Sequence, residues 1–222
     1  MEKKRQWLLT TTLFISLGLA ACGSQSVLSQ ADANTQTTTT NTSATSTTQT
    51  ASYFEASDLT ATYDESKASK ISLQGTTATV SGDGVTVNGS TVEITKAGTY
   101  IVEGTASKVQ LKVAAGKQDE VQIVFKNATL KNTEAPLLVD TAKKVILTVA
   151  DGTKNEVTDE STSTVKGAIY SDSDLTINGK GSLTVTGAAS NAIKSKDGIR
   201  IMDATVTTTA KKHGIAANDF VN

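Results

Sequence analysis

The polar side chains with the most chemistry in this sequence recur at fixed offsets near its end. Asp172 and Asp174, then Asp197, then Asn218 and Asp219 each follow a short apolar segment: Ala168-Ile169-Tyr170-Ser171, Ala192-Ile193-Lys194-Ser195 and Gly214-Ile215-Ala216-Ala217 in turn. A column of carboxylates and amides gathered at a turn has the oxygens that calcium takes, six to eight of them at about 2.4 Å. The same residue types favour turns through side-chain to backbone hydrogen bonds, which accounts for any single one of them without a metal. Beside them stand Tyr170, Lys194, Lys196 and Arg200. An aromatic ring among cations can stack on a sugar and pair with uronate carboxylates, although a solvated, charge-mixed face is the plainer reading. Arg200, the sole arginine after Arg5, could also act as a proton-abstracting base. Asn191 and the only histidine, His213, precede the apolar segment in successive repeats, where a corner role outweighs a catalytic one.

The offsets define the elements that hold these residues. Ile169 to Ile193, Leu175 to Ile199 and Ile177 to Ile201 are each 24 residues apart; Ile193 to Ile215, Asp197 to Asp219 and Ile199 to Val221 are each 22. Such a period signals units that stack because none can bury its apolar face alone. Each unit carries three strand candidates, Ala168 to Tyr170, Leu175 to Ile177 and Leu183 to Val185 in the first, and Ala192 to Lys194, Ile199 to Ile201 and Thr205 to Thr208 in the second. Alternation sends Tyr170, Lys194 and Ala216 outward in one column and Thr176, Arg200 and Asn222 outward in another, with Ser171, Ser195 and Ala217 at a tight corner. A parallel β-helix with three faces and coils of about 22–24 residues satisfies this pattern.

Upstream, from Ile71 onward, period-two segments such as Val92-Glu93-Ile94, Val109 to Val113, Val121 to Phe125, Leu137 to Val139 and Val145 to Val149 are punctuated by glycines, and an all-β domain is expected over 71–222. The single proline, Pro136, opens a candidate strand. The polar run Asp151 to Val165 reads as an excursion from the stack, and residues 53–70 as a lead-in without a sustained apolar face.

The first 21 residues have a basic start and an apolar run from Trp7 to Leu19 that is too short and too broken for a membrane span, which is the pattern of a secretory signal. The run ends in Leu19-Ala20-Ala21-Cys22, which resembles a lipobox, so lipidation of Cys22 and display at the extracellular face of a bacterial membrane are expected, the lipid being the only membrane contact. With one cysteine, no intramolecular disulfide can form. Residues 22–52 are almost wholly Thr, Ser, Gln, Asn and Ala, too polar to offset chain entropy, and are expected to be a disordered tether. Processing would leave 18 basic and 21 acidic residues, with no basic tract to suit nucleic acid. Trp7 would leave with the signal, and Tyr170 is the one tyrosine in the clear repeats, so no aromatic row exists to grip crystalline cellulose.

Two stretches carry a resemblance. Val92-Glu93-Ile94-Thr95-Lys96-Ala97-Gly98-Thr99-Tyr100-Ile101-Val102-Glu103-Gly104, and Gly167-Ala168-Ile169-Tyr170-Ser171 with Asp174-Leu175-Thr176-Ile177-Asn178-Gly179 and Gly181-Ser182-Leu183-Thr184-Val185, resemble a bacterial family of extracellular carbohydrate-binding proteins that includes a clostridial cellulose- and pectin-binding member. The resemblance covers roughly 71–222 and implies a right-handed parallel β-helix similar to polysaccharide lyases, bound calcium, and polysaccharide binding without established cleavage. Family members are longer, so a C-terminally incomplete sequence is expected. The combined expectation is a monomeric, non-catalytic, lipid-anchored polysaccharide binder that recognises acidic or hydrated glycans with calcium. A calcium-dependent lyase and a surface adhesin or spacer are the alternatives.

Overall fold

The computed structural model describes residues 53–222; the expected signal segment, Cys22 and the tether lie outside the described residues. Short β-branched runs between turns form β1 (Ser69–Gly75), β2 (Thr77–Ser81), β3 (Val85–Asn88), β4 (Thr91–Ile94), β5 (Gly98–Ser107), β6 (Gln110–Ala114), β7 (Glu120–Asn132), β8 (Leu137–Thr141) and β9 (Lys144–Val149). They continue as β10 (Lys154–Asp159), β11 (Gly167–Ser171), β12 (Asp174–Gly179), β13 (Ser182–Gly187), β14 (Asn191–Ser195), β15 (Ile199–Ile201), β16 (Thr205–Ala210) and β17 (Ile215–Ala216).

The repeat sets the pairing register. Ile169 lies beside Ile193, Leu175 beside Ile199, Ile177 beside Ile201 and Ile193 beside Ile215, all in parallel ladders. A bridge joins Ile199 to Val221. Ile169, Leu175, Ile177, Leu183, Val185, Ile193 and Ile199 are fully buried in one continuous core. Ser171 and Ser195 fill the corner as expected, both donating to the carbonyl of Ser173.

The three-faced parallel β-helix is not what these strands form. They make two mixed sheets, one of ten strands and one of seven. The first hairpin, β1 with β2, is antiparallel and turns at Gly75-Thr76; the second, β3 with β4, turns at Gly89-Ser90. Two-residue turns of this kind join antiparallel neighbours, whereas a coil needs a long crossover. The faces expected to be separate are limbs of the ten-stranded sheet, because β5 and β7 run through the bend without a break. The first half of β7 pairs with β9 and the second half with β10. Asn127, at a φ of 56°, makes that bend, and its side chain accepts from the N–H of Lys154. The Asp151–Val165 run is likewise only partly an excursion, since β10 within it sits between β7 and β13.

Thr176 and Arg200, expected on the surface, are 0 % and 8 % exposed because the lead-in lies across their face. Asp58 is buried there with Lys144. The Lys144 ammonium donates to Asp58 Oδ1 and Glu55 Oε2, both at 2.9 Å. Thr176 Oγ1 donates to the same Asp58 oxygen, and Arg200 Nε lies 3.4 Å from Asp58 Oδ2. Farther along, Tyr63 and Ala68 pack on Ile101, Val124 and Ala150.

Two stability outcomes follow. Gly179 has a φ of +99°, and an added Cβ would collide with the carbonyl of Val149 in the next strand, whereas Gly152 at +70° faces open space. Gly152→Ala should cost only the left-handed backbone penalty, about 1–2 kcal/mol, and Gly179→Ala more, read as urea midpoints at unchanged slope. Burial would raise the Asp58 carboxyl, but the bonds from Thr176, Lys144 and the Glu55 N–H hold it below its ordinary value. A lowered carboxyl stabilises above its unfolded value and loses that contribution as pH falls through its folded one. The stability advantage of the native chain over Asp58→Asn should therefore be full at neutral pH and shrink below about pH 4, as seen in urea titrations.

Candidate functional site

The outward positions of the seven-stranded sheet form a line across its strands. Glu93, Lys112, Leu138, Tyr170, Lys194 and Ala216 are register neighbours on successive strands. Asp140 lies two residues beyond Leu138 near the end of β8, and Asp172 and Lys196 come just past the ends of β11 and β14. Leu138, Asp140, Lys166, Tyr170, Asp172 and Lys196 line an open cleft of about 300 Å³. Parallel strands about 4.8 Å apart give the cleft its spacing, so each outward side chain has one above and one below.

Charge along the line is unevenly balanced. Lys112 lies 3.2 Å from Glu93 and 3.5 Å from Asp140, and Lys196 donates to Asp172 at 2.8 Å. Lys194 bonds to the neutral amide oxygen of Asn218. Among the described residues neither Lys194 nor Lys166 has a carboxylate partner. The Lys196 ammonium stands 6.0 Å from the centre of the Tyr170 ring. Burial and the Asp172 charge push the Tyr170 phenol above its ordinary value, so the ring carries a neutral hydroxyl at physiological pH. The hydrogen bond to Asp172 pushes Lys196 up, keeping it cationic.

Of the four residues read as glycan-binding, Tyr170, Lys194 and Lys196 come together here, and Arg200 does not. Arg200 lies on the other sheet, where Nε donates to the Tyr53 carbonyl at 2.6 Å, Nη1 is 3.4 Å from Asp174, and the Phe220 ring covers the guanidinium at 4.7 Å. Lys112, Leu138, Asp140 and Lys166 are additions. Lys112 and Leu138 were visible as the middle residues of Leu111-Lys112-Val113 and Leu137-Leu138-Val139, but 32 residues separate Leu138 from Tyr170, outside the 22–24 period.

The five residues read as calcium ligands do not assemble into a cage. Among the described residues, no three His, Cys, Asp or Glu side chains are placed to share a metal. Asp172 is engaged by Lys196, Asp174 by the Gly198 N–H and Arg200, and Asn218 by Lys194. Asp197 borders a second depression that Asp140 and Asp172 also line. Burial pushes its carboxyl up, and the charges of Asp174, Asp219 and Asp172 add to this. Calcium needs six to eight oxygens, whereas Lys196 and Arg200 already pair with Asp172 and Asp174 of this set. His213 Nδ1 lies 3.0 Å from Asn191 Oδ1, and the Asn191 amide donates to the Lys166 carbonyl, a corner arrangement with no carboxylate bonded to the imidazole among the described residues.

The sequence profile of the carbohydrate-binding domain-containing proteins matches residues 88–222. A protein of that description from Acetivibrio thermocellus is 34% identical over 137 residues, covering 58% of this chain and 48% of the relative, so the match spans about half of that relative's length. The structure is similar to that of a polysaccharide lyase-like protein from C. thermocellum, solved as a gadolinium derivative, with a TM-score of 0.61 and 24% identity over 69% of this chain and 81% of that one. The profile spans more than half of the chain and contains the whole Tyr170 line, from Glu93 to Ala216: this chain belongs to the carbohydrate-binding domain-containing protein family.

Proposed function

We propose that the protein is a non-catalytic binder of acidic polysaccharide, displayed outside the cell on a lipid carried by Cys22, and that the Tyr170 line is its contact surface. The observation that supports this is the juxtaposition of one aromatic face with two lysines, Lys166 and Lys194, that lack a carboxylate partner among the described residues. An apolar ring face takes the C–H side of a sugar, and an unpaired ammonium beside it takes a uronate carboxylate. The contact is open and polar, which suits a hydrated chain. The lyase alternative asks Arg200 to abstract a proton, but its guanidinium is buried and held between Asp58, Asp174 and the Tyr53 carbonyl.

Affinity electrophoresis in gels containing polygalacturonate, with a neutral glucan as the comparison, tests the reading. Tyr170→Ala and Lys194→Ala should each weaken retention roughly fivefold, equivalent to about 1 kcal/mol per contact, while Thr184→Ala on the other sheet leaves it unchanged. Equal retention of the native chain by the neutral glucan, or full retention of the Tyr170→Ala, Lys194→Ala double variant, refutes it.

A further inference from the structure

The face beneath the lead-in has an unusual polarity. Its outward residues run in register from Gln122 through Ile146 and Thr176 to Arg200, with Lys144 and Asn178 on the flanking columns. Apolar residues would ordinarily be expected under a covering segment. Here Lys144, Thr176, Asn178 and Arg200 are buried polar groups. Seven side-chain hydrogen bonds from this face to the lead-in run one way. Arg200 donates to the Tyr53 carbonyl, Lys144 to Glu55 and Asp58, and Thr176 to Asp58. Asn178 donates to the carbonyls of Asp58 and Thr60, and Gln122 to that of Thr62. In these bonds the sheet side chains donate, two of them cationic, and the lead-in accepts, two of its groups being carboxylates.

The lead-in does not fill the space. A cavity of about 340 Å³ opens along one edge beside Thr99, Gln122 and Ile146, and another of about 360 Å³ along the opposite edge beside Thr148, Ala150 and Lys180. Arg200 Nη1, buried, makes no hydrogen bond, its nearest carboxylate being Asp174 Oδ1 at 3.4 Å. A surface that offers N–H, O–H and positive charge to its occupant, with Glu120 and Asp151 among the residues lining the two cavities, in a groove broader than that occupant, matches a chain of ring oxygens, hydroxyl oxygens and carboxylates.

We propose that this groove is a second binding site for an acidic polysaccharide chain, and that residues 53–62 occupy it as an intramolecular stand-in, with the Asp58 carboxylate where a uronate carboxylate would sit. The proposal rests on the reading that the ligand is an acidic polysaccharide, but not on the Tyr170 line being its only contact. Ligand and lead-in then exclude one another, and the lead-in sets the affinity of the groove.

A protease site placed in the exposed Asp64–Lys67 turn allows the lead-in to be cut after the full chain has folded. Oligogalacturonate should release the N-terminal fragment, and a glucose oligosaccharide of equal length at equal ionic strength should not. Release should persist when Tyr170→Ala and Lys194→Ala remove the other contact. In the uncut chain, Glu55→Gln with Asp58→Asn should raise oligogalacturonate affinity at least tenfold, and adding Arg200→Met should reverse the gain. A fragment that stays in place at saturating oligogalacturonate, while the Tyr170 line still binds it, overturns the groove alone. No binding of oligogalacturonate at either face overturns both readings. A gain abolished by Tyr170→Ala and untouched by Arg200→Met also overturns the groove.

Discussion

No strand in this domain can bury its apolar side chains against its own sequence neighbours, so everything rests on the stacking of equivalent positions from successive repeats. Ile169 is covered because Ile193 lies beside it on one side and Leu137 on the other. The ladders that fix this register also satisfy the backbone, and a strand buried on both sides cannot leave those groups unpaired. Polar residues at the bend answer to the same demand. Buried Asn155 accepts from the Ala128 N–H and donates to Thr153 and the Ser182 carbonyl, completing bonds that the change of strand direction leaves open. Removing one inward Ile or Leu would open a cavity of the kind that costs about 2–5 kcal/mol, and the repeat offers no second layer to fill it.

With the inner positions committed to packing, the outer positions are free to differ, and the two sheets use that freedom in opposite ways. The seven-stranded sheet leaves its line open, with lysines only partly matched by acids. The ten-stranded sheet is covered on one limb by the lead-in, held by an ionic end at Asp58 and an apolar end at Tyr63 and Ala68. A buried ion pair repays its desolvation only when further hydrogen bonds complete it. Asp58 has them from Thr176 and the Glu55 N–H, and Lys144 from Glu55. Such a cluster adds little net stability over an apolar contact, but it admits one register of the lead-in, because a slip would leave Lys144 buried and unpaired.

Much of this was legible in the chain itself. The offsets of 24 and 22 residues placed β11 to β17 and their partners, and alternation placed Tyr170 and Lys194 on one outward column. What alternation cannot say is whether an outward residue meets water. Thr176 and Arg200 point away from the core as expected and are buried all the same, because their cover comes from Asp58 and Tyr53, 118 and 147 residues away. No local pattern links positions that far apart, and Asp58 in a polar lead-in gave no periodic signal. The sheet count failed for a related reason. Three strand candidates per repeat suggest three faces, but whether two faces are separate sheets depends on whether β5 and β7 break at the bend, and Asn127 allows them to continue. The charges of Asp172, Asp174 and Asp219 do act on Asp197, but the commitment of Asp172 to Lys196 and of Asp174 to Arg200 depends on side-chain direction, which no spacing reveals.

The chemistry of the open face also limits the kind of ligand it can select. Exposed ion pairs and single ring contacts are each worth at most about 1 kcal/mol, since water and salt compete for both partners. One sugar touching Tyr170 alone would gain too little to offset the freedom it loses on binding. Neighbouring strands, however, repeat the contact about every 4.8 Å, and a polymer laid across them meets Lys112, Leu138, Tyr170 and Lys194 in succession. Once the first contact forms, each further one is intramolecular and costs little additional freedom. If the Tyr170 line is the contact surface proposed above, a stack of repeats would discriminate by length as well as by charge: the periodicity that buries Ile169 and Ile193 inside would make the outside selective for chains over single sugars.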